Sequence, residues 1–223
     1  MRDPLPIWAV VPVKETAGAK QRLAAVLSPA QRAALALAML DDVLAALANA
    51  KGLAGILVVT IDPAARALAG RFGATLSGDD CRAGHTAAVT GAAQRLAKDG
   101  NALLTVPGDI PLATSAEIER LVDSHRRGNA FTIVPARDEQ GSNAILSAPA
   151  DAVPLRFGDD SFFPHLAASR NCGIEPAILK LPGIGLDIDT PADLAAFLAV
   201  PSHTKARALL EEAGLAPMQA GLA

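Results

Sequence analysis

The sequence predicts an α/β protein, in which helices cover both faces of a mainly parallel sheet. Short runs rich in β-branched residues alternate with longer segments of helical period through the first half of the chain. These runs are apolar at consecutive positions, which is typical of strands buried on both faces. The chain has 223 residues, of which 51% are hydrophobic, so one domain with a substantial core is expected.

The first half of the chain contains the clearest elements. The run at 6–13 is a predicted strand, and a loop with three cations follows at 14–22. Ser28 and Pro29 form a helix start, because serine caps a helix N-terminus and proline suits its first turn. Further elements are then expected in the order strand 55–62, helix 63–71, loop 75–84, helix 85–98 and strand 101–109.

The second half has shorter elements. A helix is expected from Thr114 or Ser115 to residue 127. Glu117 lies near its first turn, where an acidic side chain interacts favourably with the helix dipole. Strands are expected at 131–136, 142–147, 177–181 and 186–189, with a turn at 137–141. Helices are expected at 159–169, from the Thr190-Pro191 cap to 199, and at 203–214, followed by a loose tail.

Composition excludes several classes of protein. The formal charge of −3 argues against a nucleic-acid partner, and 3% aromatic residues argue against a base-stacking platform. Two cysteines, Cys81 and Cys172, are too few for a disulfide scaffold or a thiolate zinc site. No uncharged apolar run reaches the ~20 residues of a membrane span, and no cleavage site follows the N-terminal run. We therefore expect a cytoplasmic protein with no membrane partner.

The loop after the first strand is the first candidate site. Lys14, Lys20 and Arg22 flank Gly18, and cations with accessible backbone amides could hold a triphosphate. The patterns GxxxxGK[ST] and GxGxxG are both absent. The alternative is a solvated basic loop without a ligand.

Three aspartates form the second candidate site. Asp109 follows a buried strand, at the sheet edge where α/β proteins bind ligands. Asp187 and Asp189 stand two residues apart, so along a strand they would share a face, and Mg²⁺ between them would relieve their repulsion. The alternatives are that Asp109 only forms a turn, and that Asp189 only caps the helix at Pro191 while Asp187 faces water.

Small residues form the third candidate site. Gly141-Ser142-Asn143 and Gly158-x-x-Ser161 offer hydroxyls and backbone amides that suit an anion. No arginine cluster is expected near them. The alternative for Ser161 is a helix cap, and a structural hydrogen bond is favoured over base catalysis for His165.

Six segments in this order resemble one family, the 2-phospho-L-lactate guanylyltransferases of coenzyme F-420 biosynthesis, which include enzymes for phosphoenolpyruvate and 3-phospho-D-glycerate. Each segment is unspecific alone, but FGDDSFFPH followed by LDIDTPADL is specific as a pair. The segments are PVKETAGAKQRL (12–23), AGHTAAV (83–89), VPGDIPL (106–112), DEQGSNAIL (138–146), FGDDSFFPH (157–165) and LDIDTPADL (186–194).

The resemblance implies a Rossmann-like nucleotidyltransferase fold, a three-layer sandwich similar to molybdenum-cofactor guanylyltransferases and sugar-nucleotide pyrophosphorylases. It implies a domain at 1–200 with a C-terminal helix and tail at 201–223. The implied reaction joins GTP to a phosphorylated three-carbon acid and releases pyrophosphate, with Mg²⁺ as cofactor. A homodimer is a further possibility that the sequence leaves open.

The resemblance also assigns roles to residues of this chain. Lys20, Arg22 and Asp109 are the implied catalytic residues, and Asp109, Asp187 and Asp189 the implied Mg²⁺ ligands. Nucleotide contacts are implied for Lys14, Lys20, Arg22, Gly84, Pro107 and Asp109, and acid contacts for Ser142, Gly158 and Ser161.

The chain departs from the family at three places. Ser142 stands where threonine is common, and Pro107-Gly108 precede Asp109 where bulkier residues are usual. His85 and Thr86 follow Gly84 where leucine and asparagine are common. Two other functions stay open on the sequence alone. One is nucleotidyl transfer to another acceptor, such as molybdopterin or a sugar phosphate, and the other is nucleotide binding without catalysis.

Overall fold

The computed structural model describes residues 4–79, 81–125, 130–158 and 160–215. The predicted helix end at 126–127 and the tail at 216–223 lie outside this range. The strands are β1 (Ile7–Pro12), β2 (Leu53–Val59), β3 (Thr75–Ser77), β4 (Ala102–Thr105), β5 (Ala130–Pro135), β6 (Ser142–Ala148) and β7 (Ala177–Ile178). The helices are α1 (Pro29–Asn49), α2 (Pro63–Gly70), α3 (His85–Lys98), α4 (Ser115–Ser124), α5 (Phe162–Asn171), α6 (Pro191–Ala199) and α7 (Lys205–Glu212).

The strands form one sheet in the order β3-β2-β1-β4-β6-β5-β7. Strand β6 runs antiparallel to its neighbours β4 and β5, whereas the other pairs are parallel. The prediction of a mainly parallel sheet is therefore confirmed. Because β6 is reversed, its first residues lie at the same sheet edge as the last residues of β1, β4 and β5.

Both faces of the sheet are buried, which explains the unbroken apolar runs. Ala9 and Val11 pack on one side with α1, α2 and α4. Val10 packs on the other side with α3 and α5. A third cluster joins α6 and α7 to the first turns of α1, and it buries Phe197 completely. The predicted three-layer arrangement is confirmed.

The helix starts follow the predicted capping chemistry. The Ser28 hydroxyl accepts a hydrogen bond from the Gln31 backbone, and the Gln31 side chain accepts one from the Ser28 backbone. Thr190 and Asp193 make the same reciprocal pair at α6. These local bonds satisfy backbone groups that a helix end leaves unpaired, so they could be predicted from sequence.

Several predicted elements need correction. The strands predicted at 101–109 and 177–181 are shorter, and they span Ala102–Thr105 and Ala177–Ile178. The loop predicted at 75–84 contains strand β3, which is only three residues long and pairs with β2. The strand predicted at 55–62 ends at Val59, because Asp62 caps helix α2. The segment 186–189 is not a strand, and a single backbone hydrogen bond, from Ile188 to Asp109, joins it to the loop after β4.

No helix within the described ranges is long and apolar enough to cross a membrane.

Candidate active site

Two polar cavities open at the sheet edge where β1, β4 and β5 end and β6 begins. Cavity A has a volume of about 380 Å³, and cavity B about 350 Å³. Asp189 lines both cavities, so they meet at this residue. Cavity A is lined by residues that include Lys14, Gly18, Lys20, His85, Pro107, Gly108 and Asp109. Cavity B is lined by residues that include Arg22, Arg137, Gly141, Asn143, Gly158 and Asp187.

Lys20 joins two of the predicted metal carboxylates. Its Nζ lies 2.7 Å from Asp109 Oδ2 and 2.7 Å from Asp189 Oδ1, and its side chain is only 8% exposed. Burial lowers the pKa of Lys20, but the two neighbouring carboxylates outweigh this effect and raise it above its ordinary value. The ammonium therefore stays charged, and the solvated-loop alternative is wrong for this residue.

The backbone of Lys20 is also unusual. It has a φ of 54° and a ψ of 44°, in the left-handed region that non-glycine residues rarely adopt. Such a conformation costs on the order of 1 kcal/mol and persists where surrounding contacts impose it. Here the two ion pairs supply those contacts, and a strained backbone of this kind is common at functional sites.

Asp62 holds the loop of cavity A in place. Its Oδ2 accepts hydrogen bonds from Thr16 N at 2.7 Å and Thr16 Oγ1 at 2.8 Å, while its Oδ1 accepts one from Ala65 N at 2.9 Å. One carboxylate thus caps helix α2 and anchors the loop at once. Burial raises the pKa of Asp62, but these hydrogen bonds outweigh it and the pKa lies below its ordinary value.

We expect Asp62→Ala to lower the free energy of unfolding by about 2 kcal/mol at neutral pH, because a helix cap and charged hydrogen bonds are lost together. The depressed pKa sets the pH dependence. The contribution of Asp62 is present above the unfolded carboxyl pKa of about 3.9 and is lost as the pH falls through the lower folded value. Urea unfolding of the variant beside Asp99→Ala, an exposed control, measures the difference. Equal stability of the two variants would contradict this role.

Asp187 has a different hydrogen-bond partner from the other two carboxylates. Asn143 Nδ2 donates to Asp187 Oδ1 and to the Ile184 carbonyl, each at 3.0 Å. Burial raises the pKa of Asp187, and repulsion from Asp109 and Asp189 adds to the rise. The three side chains are therefore electrostatic neighbours.

The three carboxylates that were expected to converge on one metal position do not form a preformed metal site in this structure. In the part of the chain that the structure describes, no three His, Cys, Asp or Glu side chains are arranged to hold a metal ion. The reason is local, since Lys20 lies between Asp109 and Asp189 while Asn143 binds Asp187. The capping alternative for Asp189 is also wrong, because Thr190 caps α6.

Cavity B contains arginines that the sequence did not predict there. Arg22 was expected on the nucleotide side, but it lines cavity B together with Arg137. Arg137 follows β5, and its guanidinium lies 3.3 Å from Asp193. The expectation that no arginines stand near the small-residue segments is wrong. A cation directly after a strand end was the available signal for Arg137.

The small-residue segments come together as predicted. Ser161 Oγ donates to Ser142 Oγ at 3.2 Å, and Ser142 Oγ lies 3.0 Å from His165 Nδ1. The Ser161 hydroxyl makes no capping bond at α5, so the cap alternative is wrong. The structural hydrogen bond expected of His165 is confirmed, because the Arg156 backbone donates to Nε2 at 2.9 Å.

An aromatic contact through Phe157 links His85 of cavity A to the buried His165. The Phe157 ring lies 4.6 Å from the His85 ring of cavity A and 5.1 Å from the His165 ring. Phe157 N also donates to Thr86 Oγ1 at 3.0 Å. Gly84, predicted to contact nucleotide, is the N-cap of α3, and its φ of 98° suits glycine. Sequence reasoning did not foresee this link through Phe157.

A larger cavity of about 920 Å³ contains none of the predicted site residues. Its walls include Pro111, Leu112, Pro182 and Val200. Arg137 and Lys180 also line this larger cavity. Cavities A and B, in contrast, are lined by most of the predicted site residues, so they form the candidate active site.

The fold and this pair of cavities define the chain as a nucleotidyltransferase. A parallel sheet presents cations and carboxylates beyond its strand ends, where α/β proteins bind nucleotides. The chain belongs to the family described as guanylyl transferase CofC like, whose model matches residues 7–218.

Three relatives show the range of this family. The chain is 39% identical to phosphoenolpyruvate guanylyltransferase of Rubrobacter xylanophilus, over 85% of this chain and 92% of the relative. It is 35% identical to 3-phospho-D-glycerate guanylyltransferase of Colwellia psychrerythraea, over 83% and 88%. It is 31% identical to 2-phospho-L-lactate guanylyltransferase of Methanothermobacter thermautotrophicus, over 92% and 89%.

Two solved structures share the fold. One, from Desulfovibrio desulfuricans G20, is provisionally assigned as a nucleotide-diphospho-sugar transferase. It matches with a TM-score of 0.74 and 20% identity, over 93% of this chain and 95% of its own. The other is glucosyl-3-phosphoglycerate synthase from Mycobacterium tuberculosis in complex with Mn²⁺ and uridine diphosphate. It matches with a TM-score of 0.57 and 12% identity, over 89% and 82%.

Proposed function

We propose that this chain transfers the guanylyl group of GTP to the phosphate of a phosphorylated three-carbon acid and releases pyrophosphate. The observation that carries the proposal is that cavities A and B meet at Asp189. A nucleotide in cavity A and an acid in cavity B would therefore face each other across the Asp109–Lys20–Asp189 group. The substrates named for the relatives support this choice, and the family suggests a place in coenzyme F-420 biosynthesis.

The proposed reaction is a single in-line displacement. A phosphate oxygen of the acid attacks the α-phosphorus of GTP and forms a new P–O bond. The bond from the α-phosphorus to the oxygen bridging it to the β-phosphorus breaks, and its electron pair leaves with pyrophosphate. The attacking phosphate is already an anion near neutral pH, so no side chain has to remove a proton. Catalysis then depends on positioning and on neutralising charge.

The residues of cavity A suit the triphosphate. Lys14 and Lys20 supply positive charge, and an added side chain at Gly108 would come within 3.2 Å of Leu40, so this wall is closely packed. Lys20 would offset the charge that grows on the leaving pyrophosphate. The remaining contacts that we propose for the nucleotide involve Gly84, Pro107 and Asp109.

The residues of cavity B suit a small anion. Arg22 and Arg137 offer guanidinium groups, which match carboxylate and phosphate oxygens in shape. Gly158 leaves its backbone open to close approach, and Ser142, whose neighbours Gly141 and Asn143 line this cavity, supplies a hydroxyl. Ser161 is buried and donates to the Ser142 oxygen. A volume of about 350 Å³ is sufficient for a phosphorylated three-carbon acid.

The pair of carboxylates around Lys20 is a feature of this site that suits a divalent metal ion. Asp109 and Asp189 already bracket a positive group, the Lys20 ammonium, at 2.7 Å on each side. Mg²⁺ is usually held by one or two carboxylates together with substrate phosphates, so a preformed set of three ligands is not required. We propose that Asp109 and Asp189 hold Mg²⁺ once a nucleotide supplies phosphate oxygens, with Asp187 beside them. Bound there, the ion would neutralise the phosphates that meet.

The proposal is tested by incubating the protein with GTP, Mg²⁺ and each of phosphoenolpyruvate, 2-phospho-L-lactate and 3-phospho-D-glycerate. Mass spectrometry would detect the guanylated acid, and pyrophosphate release would give the rate. Glucose 1-phosphate and molybdopterin serve as competing acceptors, and ATP and CTP as competing donors. Product from a competing acceptor alone would replace the proposal, and binding of GTP without product would indicate a non-catalytic nucleotide-binding protein.

A further inference from the structure

A short chain of hydrogen bonds lies behind the wall of cavity B. It begins at Arg156, whose backbone N–H donates to His165 Nε2 at 2.9 Å. It continues from His165 Nδ1 to Ser142 Oγ at 3.0 Å, and Ser161 Oγ donates to the same oxygen at 3.2 Å. His165 is 1% exposed and Ser161 2% exposed, so water does not compete for these bonds.

The backbone donor of Arg156 determines which atom donates in each of these hydrogen bonds. A backbone N–H can only donate, so His165 Nε2 is an acceptor and has no proton. A neutral imidazole has one proton, which must then be on Nδ1, where Ser142 Oγ lies 3.0 Å away and the Ser161 backbone is a second hydrogen-bond partner of the ring. Burial lowers the pKa of His165 to about 4, although a hydrogen bond to the Ser161 backbone opposes this, so the ring is neutral near pH 7.

Ser142 is therefore left with a proton to donate. Its oxygen accepts from both His165 and Ser161, which uses its two lone pairs. Within the described ranges, no protein acceptor is present for its own O–H. Its neighbours Gly141 and Asn143 both line cavity B. The unused proton is thus available to an acceptor atom of a ligand, which an anionic oxygen provides.

We propose that His165 is a positioning residue, which orders Ser142 and Ser161 so that the Ser142 hydroxyl donates to an anionic oxygen of the acceptor acid. This inference rests on the proposed function and deepens it, because it states how the acid side of the same site recognises its substrate. His165 does not touch the acid itself. His165 donates a hydrogen bond to the Ser142 oxygen. The Ser142 hydroxyl can then interact with the acid only by donating its own proton.

Two amide variants separate this role from a merely structural one. In His165→Asn, the amide nitrogen replaces Nδ1 and still donates to Ser142, but the acceptor for Arg156 is lost. In His165→Gln, the amide oxygen replaces Nε2 and still accepts from Arg156, but the donor to Ser142 is lost. We expect the KM for phosphoenolpyruvate to stay within about threefold of wild type in His165→Asn and to rise about tenfold in His165→Gln. The KM for GTP should change little in either variant.

The opposite ranking would overturn the proposal, because it would show that His165 serves only to hold Arg156. Equal changes in the two variants, or equal changes in both KM values, would overturn it as well. A wild-type protein that forms no product with any of the three acids would refute the proposed function, and with it the acid contact of Ser142.

A spectroscopic measurement keeps the test independent of turnover and of variant folding. In the ¹⁵N spectrum of wild-type protein labelled at histidine, Nδ1 of His165 should show the shift of a protonated nitrogen and Nε2 that of an unprotonated one. Four histidines are present, and the signals missing in His165→Gln, or in His165→Asn if the first does not fold, assign the pair. A proton on Nε2, or on both nitrogens at pH 7, would overturn the proposal whatever the enzyme assay shows.

Discussion

Asp109→Asn is expected to reduce guanylyl transfer by about a hundredfold to a thousandfold while the protein remains folded. Asparagine keeps the shape of the side chain but removes its charge. Loss of one preorganised electrostatic group typically costs this much in rate, and loss of a metal ion can cost more. The carboxylate faces the Lys20 ammonium at 2.7 Å, so its charge is placed where phosphates would meet.

The measurement is pyrophosphate release at saturating GTP and acid, with thermal unfolding followed in parallel. Asp79→Asn is the matched control, because Asp79 also follows a strand of the same sheet but is 70% exposed and lines neither cavity. Wild-type turnover in Asp109→Asn would refute the placement of the reaction between the two cavities. A low rate in both variants would point to a general loss of structure.

Lys20→Met is expected to lower kcat/KM for GTP by about a hundredfold, since a charge contact that strengthens in the transition state contributes roughly 3 kcal/mol. Methionine keeps an unbranched apolar stem and removes the ammonium. Its removal also leaves Asp109 and Asp189 without their shared cation. We therefore expect Mn²⁺, used as a probe for Mg²⁺, to bind more tightly to this variant than to wild type when nucleotide is absent.

These two readouts distinguish a role in the site from a role in folding. Steady-state kinetics gives the first, and electron paramagnetic resonance of Mn²⁺ gives the second. Lys98→Met, on the exposed last turn of α3, is the control for loss of a surface charge. Unchanged kinetics would restore the interpretation of this loop as a structural element, and unchanged Mn²⁺ affinity would show that the ammonium does not compete with a metal.

Much of the fold could be predicted from local patterns. The helix at Pro29 begins where Ser28 and Gln31 satisfy the free backbone groups, and both signals lie within one turn. The strands ending at Pro12 and Thr105 are apolar at consecutive positions because helices cover both faces of the sheet. Capping depends on a few neighbouring residues, and burial affects whole segments. Both can therefore be recognised as local patterns in the sequence.

The sequence alone also determined which residue types meet at the sheet edge. Acids, cations and small residues follow predicted strands, and strands of one direction end at one edge. What it could not determine is which partner each side chain takes. Lys20 binds Asp109 and Asp189, which lie 89 and 169 positions away along the chain.

Only the tertiary structure decided these pairings. The reversed strand β6 lies between β4 and β5, and this insertion brings Ser142 to the edge where Arg137 and Asp109 stand. Helix α5 packs on the face of the sheet that Val10 faces, and it places His165 against Ser142. The physical reason is that such contacts depend on how separate elements pack. Periodicity and capping encode the elements themselves, whereas their packing is encoded only in the combined shapes and charges of the whole chain.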